Sequence, residues 1–343
     1  MKKIIALALT AVMALSMVAC GGSEPAAPAK YKVGMGHGVS AKVTDATADK
    51  AGSVQIDTTM VVAAFDAEGK VTSVTIDVAQ QKLGLNADGT TADAAKADIR
   101  TKVEKEGDYG MVGASSIGKE YFEQINALED WMVGKTVEEI MNMPVYDKGD
   151  GSHTHVPDVE DLKASCTITV QAYQAAVKEA WDTAVEVEGV AKVGLGQNIS
   201  VKGTAATADK NGSVQVDNNM VGVALDAEGK ILWAKIDVAQ QKAAFDATGA
   251  KAGEVDCRTK VEKGADYGMK GASSIGKEYY EHVAALGEWM VGKTVAEVVA
   301  METYDKGDGS HTNVPAVEDL KASCTVTVQA YLAALEEAAE LAK

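Results

Sequence analysis

The sequence predicts an α+β fold built from two tandem homologous domains, each an antiparallel sheet packed with helices. Three observations predict it. First, the chain repeats itself: IDVAQQK at Ile76–Lys82 recurs at Ile236–Lys242, GASSIGKEY at Gly113 recurs at Gly271, and VEDLKASCT at Val159 recurs at Val317. The repeating unit is far longer than a solenoid repeat, so each copy carries its own sheet and helices. Second, β-branched runs with period-2 alternation stand near the start of each copy. Third, apolar residues at helical spacing follow in the middle and at the end.

The chain opens with Lys2 and Lys3, an uncharged apolar run from Ile4 to Val18, then Ala19 and Cys20 followed by Gly21 and Gly22. A basic start, a short apolar core and small residues before the cut form an export signal. With cysteine at the junction the segment resembles the lipobox of bacterial lipoproteins. That resemblance implies a signal over residues 1–20, lipid modification of Cys20 and anchoring on the outer face of the cytoplasmic membrane. The apolar run is shorter than the roughly 20 residues that a bilayer span needs. Residues 21–30, GGSEPAAPAK, read as a tether stiffened by Pro25 and Pro28. The repeats then occupy 31–187 and 188–343.

Within the first repeat, the glycine-rich run from Lys32 to Val43 reads as a strand whose backbone is closely approached. Met60–Asp66 and Val71–Ile76 form a hairpin across Ala67-Glu68-Gly69-Lys70, repeated at Met220–Asp226 and Ile231–Ile236. Ile117, Tyr121, Ile125, Leu128 and Met132 mark a helix, with Ser115 or Ser116 as its N-cap and Gly134 at its end. Thr136 with Glu139, and Thr294 with Glu297, are capping boxes that restart short helices. Val170, Tyr173, Val177, Trp181 and Val185 predict a last helix running toward the second repeat, with Gly189 placed to break it.

The net charge of -17 argues against a nucleic-acid partner and against anionic lipid except where the chain is tethered. Few aromatics leave the core to Ala, Val, Ile, Leu and Met. Cys166 and Cys324 are equivalent positions, and Cys257 has Ile99 opposite it, so no disulfide framework is evident. There is no GxSxG, HExxH or GxxxxGK[ST] segment. Of the histidines only His153 and His311 correspond, which argues against a duplicated histidine hydrolase. The loop with Asp147, Asp150, His153 and His155 has metal-ligating types, but Asn313 replaces His155 in the second copy and the EF-hand order is lacking. It reads as a solvated turn, and no metal ligands are assigned.

The segment richest in chemistry runs from Asp161 to Thr167, duplicated from Asp319 to Thr325. On its own spacing it reads as a turn and a helix start, or as a hydroxyl beside the free N–H groups of a helix, where phosphate is favoured. Here the chain resembles the FMN-binding domain family, of the type found in sodium-pumping NADH:quinone reductase. That domain also occurs in pheromone-precursor lipoproteins linked to extracellular electron transfer. The family pattern is Asp-x-x-Ser/Thr-Gly-Ala-Thr, and its last threonine can carry FMN through a phosphoester bond. Asp161 and Thr167, with Asp319 and Thr325, match its ends. Ala164, Ser165 and Cys166 stand in place of Ser/Thr-Gly-Ala. The resemblance implies FMN, held by Thr167, Thr325, Asp161, Asp319, Ser165 and Ser323. It also implies an electron carrier, with a membrane quinone reductase or an external acceptor as partner, rather than a stand-alone enzyme. A second candidate is Gly-Ala-Ser before the middle helix, at Ser115 and Ser273, with Tyr109, Trp131, Tyr267 and Trp289 available to stack on a flat ring. The alternative is a surface binding lipoprotein that keeps the fold without flavin.

Overall fold

The computed structural model describes residues 29–343. The export signal, Cys20 and tether residues 21–28 lie outside the described residues. The first repeat runs β1 (Lys30–Thr44), β2 (Gly52–Phe65), β3 (Val71–Leu85), α1 (Tyr121–Met132), α2 (Val137–Met141), β4 (Val145–Tyr146), β5 (Val156–Pro157), α3 (Gln171–Asp182) and β6 (Val185–Glu188). The second runs β7 (Lys192–Thr204), β8 (Gly212–Leu225), β9 (Ile231–Phe245), α4 (Lys260–Lys263), α5 (Tyr279–Met290), α6 (Val295–Val299), β10 (Thr303–Tyr304), β11 (Val314–Pro315) and α7 (Gln329–Glu340). The main sheets are antiparallel, ordered β3-β2-β1-β6 and β7-β8-β9.

Alternation along the central strands explains the layering. Successive side chains of a strand point to opposite faces. On β2, Met60, Val62 and Ala64 join Met220, Ala224 and Leu195 in a core between the two sheets. Val61, Ala63 and Phe65 face the other way, against Ile125, Leu128 and Val177 of α1 and α3. The second repeat does the same with Val221, Val223 and Leu225 against α5 and α7. The order of layers is therefore helices, sheet, sheet, helices, and the middle core belongs to both repeats.

Glycine in β1 and β7 allows a close helix–strand approach. A Cβ on Gly34 or Gly36 would lie 1.8 Å from the Ala180 carbonyl oxygen or 2.0 Å from that of Ala176. Gly194 and Gly196 repeat this against Ala338 and Ala334, at 1.8 and 1.9 Å. In the hairpin turn Gly69 adopts φ +78°, and Asp66 Oδ1 accepts the N–H groups of Glu68 and Lys70.

Three local expectations are corrected. Helix α1 starts at Tyr121, not beside Ser115 or Ser116. Glu120 N–H donates to Glu123 Oε2 at 2.8 Å, while the Glu120 carboxylate accepts the N–H groups of Met111 and Val112 and closes the preceding loop. Val185 is not on the last helix: α3 ends at Asp182, and Val185 pairs with Val33 at the edge of the first sheet. The connector between repeats is thus strand β6, and Gly189 turns the chain at φ +75°. The strands also outrun their apolar runs, because Gln55 and Asp57 continue β2 with their side chains bonded to one another at 2.9 Å.

Candidate functional site

Two of the three serine/threonine candidates of each repeat meet at one place, while Ser165 and Ser323 turn to carbonyls of the preceding 3₁₀ turns. Thr167 is buried, four residues before α3, and its N–H donates to Gln124 Oε1 at 2.8 Å. Its hydroxyl reaches the same oxygen at 3.3 Å. Gln124 Nε2 donates to Ser115 Oγ at 3.2 Å and to the Lys119 carbonyl at 3.0 Å. In the second repeat His282 replaces Gln124: Nδ1 accepts the Thr325 N–H at 3.0 Å and Nε2 stands 3.2 Å from Ser273 Oγ. The amide N–H can only donate, so it fixes Nδ1 as the acceptor and places the ring proton on Nε2. That nitrogen faces Ser273 as a donor and cannot take the serine proton, so the pair is not a nucleophile with its base. Burial lowers the pKa of His282 and keeps the ring neutral.

Asp161 and Asp319 are not brought to this place. Both lie exposed in short 3₁₀ turns, Glu160–Leu162 and Glu318–Leu320. Their backbone carbonyls accept the Ser165 and Ser323 hydroxyls at 3.3 Å. Cys166 and Cys324 are buried thiols, pushed up to about 11 by desolvation and therefore protonated near neutral pH.

Beside Thr325 opens a cleft of ≈ 740 Å³ lined by Tyr267, Tyr279, Tyr331, Lys260, Lys306 and His311, with Ser273 and Thr327 in its wall. Tyr267 and Tyr279 meet edge-to-face, centroids 5.6 Å apart, and the Tyr279 and Tyr331 hydroxyls are 3.1 Å apart. Burial raises both of those phenol pKa values, so the tyrosines are neutral. Lys260 Nζ lies 5.3 and 5.1 Å from the centroids of Tyr267 and Tyr279, a cation–π distance. Lys306 Nζ donates to the Thr325 carbonyl at 2.8 Å. His311 Nδ1 stands 2.7 Å from Asp308 Oδ2, and Asp308 is held down to about 2 by the N–H groups of Ser310 and His311 and by the imidazole. The Thr327 hydroxyl is buried without a partner.

The first repeat builds the same constellation around Lys102, Tyr109, Tyr121, Tyr173 and His153, with the Thr169 hydroxyl likewise unpartnered, but its cleft is only ≈ 220 Å³. Of the aromatics singled out from sequence, Tyr109 and Tyr267 line the clefts. Trp131 and Trp289 carry Lys135 and Lys293 over their rings instead, at 4.6 and 4.3 Å. The loop with Asp147 and Asp150 is closed by its own bonds: Asp147 Oδ1 accepts the Gly149 N–H and Asp150 Oδ2 faces His153 Nδ1 at 2.7 Å. Sequence reasoning passed over Lys260, Tyr279, Tyr331 and Gln124. The first three had a signal, identical recurrence at Lys102, Tyr121 and Tyr173. Gln124 had none, since His282 takes its place.

No protein-family model matches the chain, and no solved structure matches it. A chlorophenol reductase of Desulfitobacterium hafniense is 31% identical over 127 residues, which is 34% of this chain and 39% of that protein. The chain thus spans well under half the length of that relative.

Proposed function

We propose that this chain is an exported, lipid-anchored binder of FMN that carries electrons at the outer face of the cytoplasmic membrane. The cofactor is held non-covalently, first in the second repeat's cleft and more weakly in the smaller cleft of the first. The observation that carries the reading is the ≈ 740 Å³ cleft lined by three tyrosines and two lysines. A flat ring system bearing a phosphate needs an aromatic wall and a cation, and the cleft lies within the ~300–1,000 Å³ of small-molecule sites. FMN, when bound, supplies the redox chemistry. The chain's part is to hold it. Lys260 offers its charge to the phosphate, and Lys306 retains further N–H donors after serving Thr325. The unpartnered Thr327 hydroxyl and the Tyr331 phenol offer polar partners to a ligand edge.

A phosphoester at Thr167 or Thr325 is not part of this reading, because Thr167 is buried with its hydroxyl on Gln124 and both threonine N–H groups are already used. The likeness to a protein named as a reductase supports a redox setting. A membrane quinone reductase or an external acceptor fits as the partner.

The used threonine N–H groups also favour a second reading, a non-redox binder of another anionic aromatic ligand in the same cleft. Titration with FMN, followed by flavin fluorescence, separates the two. Saturable quenching is expected, weakened at least tenfold by Lys260→Ala with an unchanged circular dichroism spectrum. Absence of quenching, together with thermal stabilisation by simple phenolates, would establish the second reading instead.

A further inference from the structure

Between the repeats, His37 of β1 faces Glu179 of α3 and Glu262 of α4, the latter two residues along from Lys260 of the second cleft. His37 Nδ1 lies 3.4 Å from Glu179 Oε1, and Nε2 lies 3.4 Å from Glu262 Oε2. The imidazole side chain is only 4% exposed. Both ring nitrogens are buried without a hydrogen-bond partner among the described residues, and 3.4 Å is longer than a good hydrogen bond. One ligand atom from each residue can be chosen so that all lie within 4.8 Å of one another, the one such group of His, Cys, Asp and Glu found among the described residues. Two ligands of a tetrahedral ion at about 2.1 Å stand about 3.4 Å apart. That is the distance from each carboxylate to the ring nitrogen it faces, so an ion on one nitrogen needs the other side chain to turn toward it, as the half-exposed Glu262 can.

We propose that His37, Glu179 and Glu262 bind one divalent transition-metal cation of the zinc type. A buried imidazole with two carboxylates is a borderline N/O donor set, suited to zinc rather than to magnesium or calcium, which prefer six or more oxygens. One ring nitrogen takes the ion. One oxygen of each carboxylate completes the set. Three protein ligands leave a position for water. Two ligands belong to the first repeat and one to the second, so the ion ties the repeats together. The pseudo-equivalent place supplies an internal control. There Gln197, Glu337 and Glu104 stand for His37, Glu179 and Glu262. Gln197 N–H donates to Glu337 Oε2 at 2.6 Å, as His37 N–H does to Glu179 Oε2 at 2.8 Å, but no imidazole is offered.

The test is equilibrium dialysis of the full chain, stripped with chelator, against zinc chloride, with metal content and melting temperature measured together. One zinc per chain is expected, with a raised melting temperature. Magnesium at the same concentration should do neither. His37→Gln, which copies the side chain at Gln197, and separately Glu262→Gln should each abolish stoichiometric binding and the thermal shift while circular dichroism stays unchanged. Zinc binding that survives both variants, two ions per chain, or none in the wild type would overturn the proposal.

Discussion

At the scale of single residues, the informative groups are polar side chains withdrawn from water. Asp77 is fully buried, and loss of hydration pushes its carboxyl up to about 7, against the bonds it accepts from Thr101, Val78, Val103 and Gln197. Burial also lifts Glu337, near Gln197, to about 7. A carboxyl whose folded pKa lies above its unfolded value takes up a proton on folding. Its stabilising contribution is complete below the unfolded value near 4 and is lost as pH rises through 7. The melting temperature should fall between pH 5 and pH 8. Asp77→Asn, whose amide can donate to the unpartnered Gln197 Oε1, should be about 1–3 kcal/mol more favourable at pH 8 than at pH 5 relative to wild type. Urea denaturation at the two pH values checks this, and an equal effect at both would refute it. Gln124 allows a second test. Gln124→Ala strips the buried Thr167 N–H of its acceptor and should cost about 1–3 kcal/mol. Gln124→His, the solution already used at His282, should recover most of that.

At the scale of elements, much was legible. The glycine-rich strand, the hairpin turn and both capping boxes follow from local rules, and the structure places each where those rules require: Thr136 Oγ1 accepts the Glu139 N–H at 3.2 Å, and Thr294 Oγ1 accepts that of Glu297 at 3.3 Å. What misled was periodicity carried too far. Val185 keeps helical spacing with Trp181, yet pairing with β1 captures it as a strand, and no local signal encodes that partner. Ser115 looks like a cap, but its hydroxyl serves the Ile117 and Lys119 N–H groups of a turn, at 3.4 Å each, and the Gln124 amide. The glycines give a sharp prediction at this scale. Gly36→Ala forces a Cβ to 2.0 Å from the Ala176 carbonyl and should cost at least about 3 kcal/mol through separation of α3 from β1. Gly38→Ala on the same strand meets nothing within 4 Å and should be neutral or slightly stabilising. Thermal melts of the two variants decide the matter.

At the scale of the whole molecule, duplication is plain in the sequence, but the packing of the copies is not. The faces that meet, Met35 and Met60 against Leu195 and Met220, read in each repeat as one side of an ordinary buried strand. The C-terminal residue shows how far the repeats are joined. Lys343 exchanges backbone bonds with Val193, at 3.1 and 3.0 Å, accepts the Ser73 hydroxyl at 2.7 Å, and pairs its ammonium with Glu129 of the first repeat. Glu129 is buried, and desolvation raises its pKa despite that partner. Lys343→Met should leave the carboxylate unpaired and cost about 1–2 kcal/mol near neutral pH, discounted because the lysine is half exposed. A loss that shrinks as pH is lowered, because burial raises the Glu129 pKa and eases its protonation, would match this assignment. The clefts were legible only in part. The repeated tyrosines and lysines are visible as identities, but their convergence with Ser273 and Thr325 depends on α5, α7 and the β10–β11 loop closing on one another.

A surface flavoprotein with a non-covalent site is tested most directly on protein exported and matured in a host that makes flavin. The absorption spectrum before and after denaturation and the intact mass are recorded on one sample. Flavin absorption should leave with the small-molecule fraction on denaturation, the chain should carry no flavin mass, and Lys260→Ala should lose the colour. A colourless protein that takes up no added FMN would contradict the assignment.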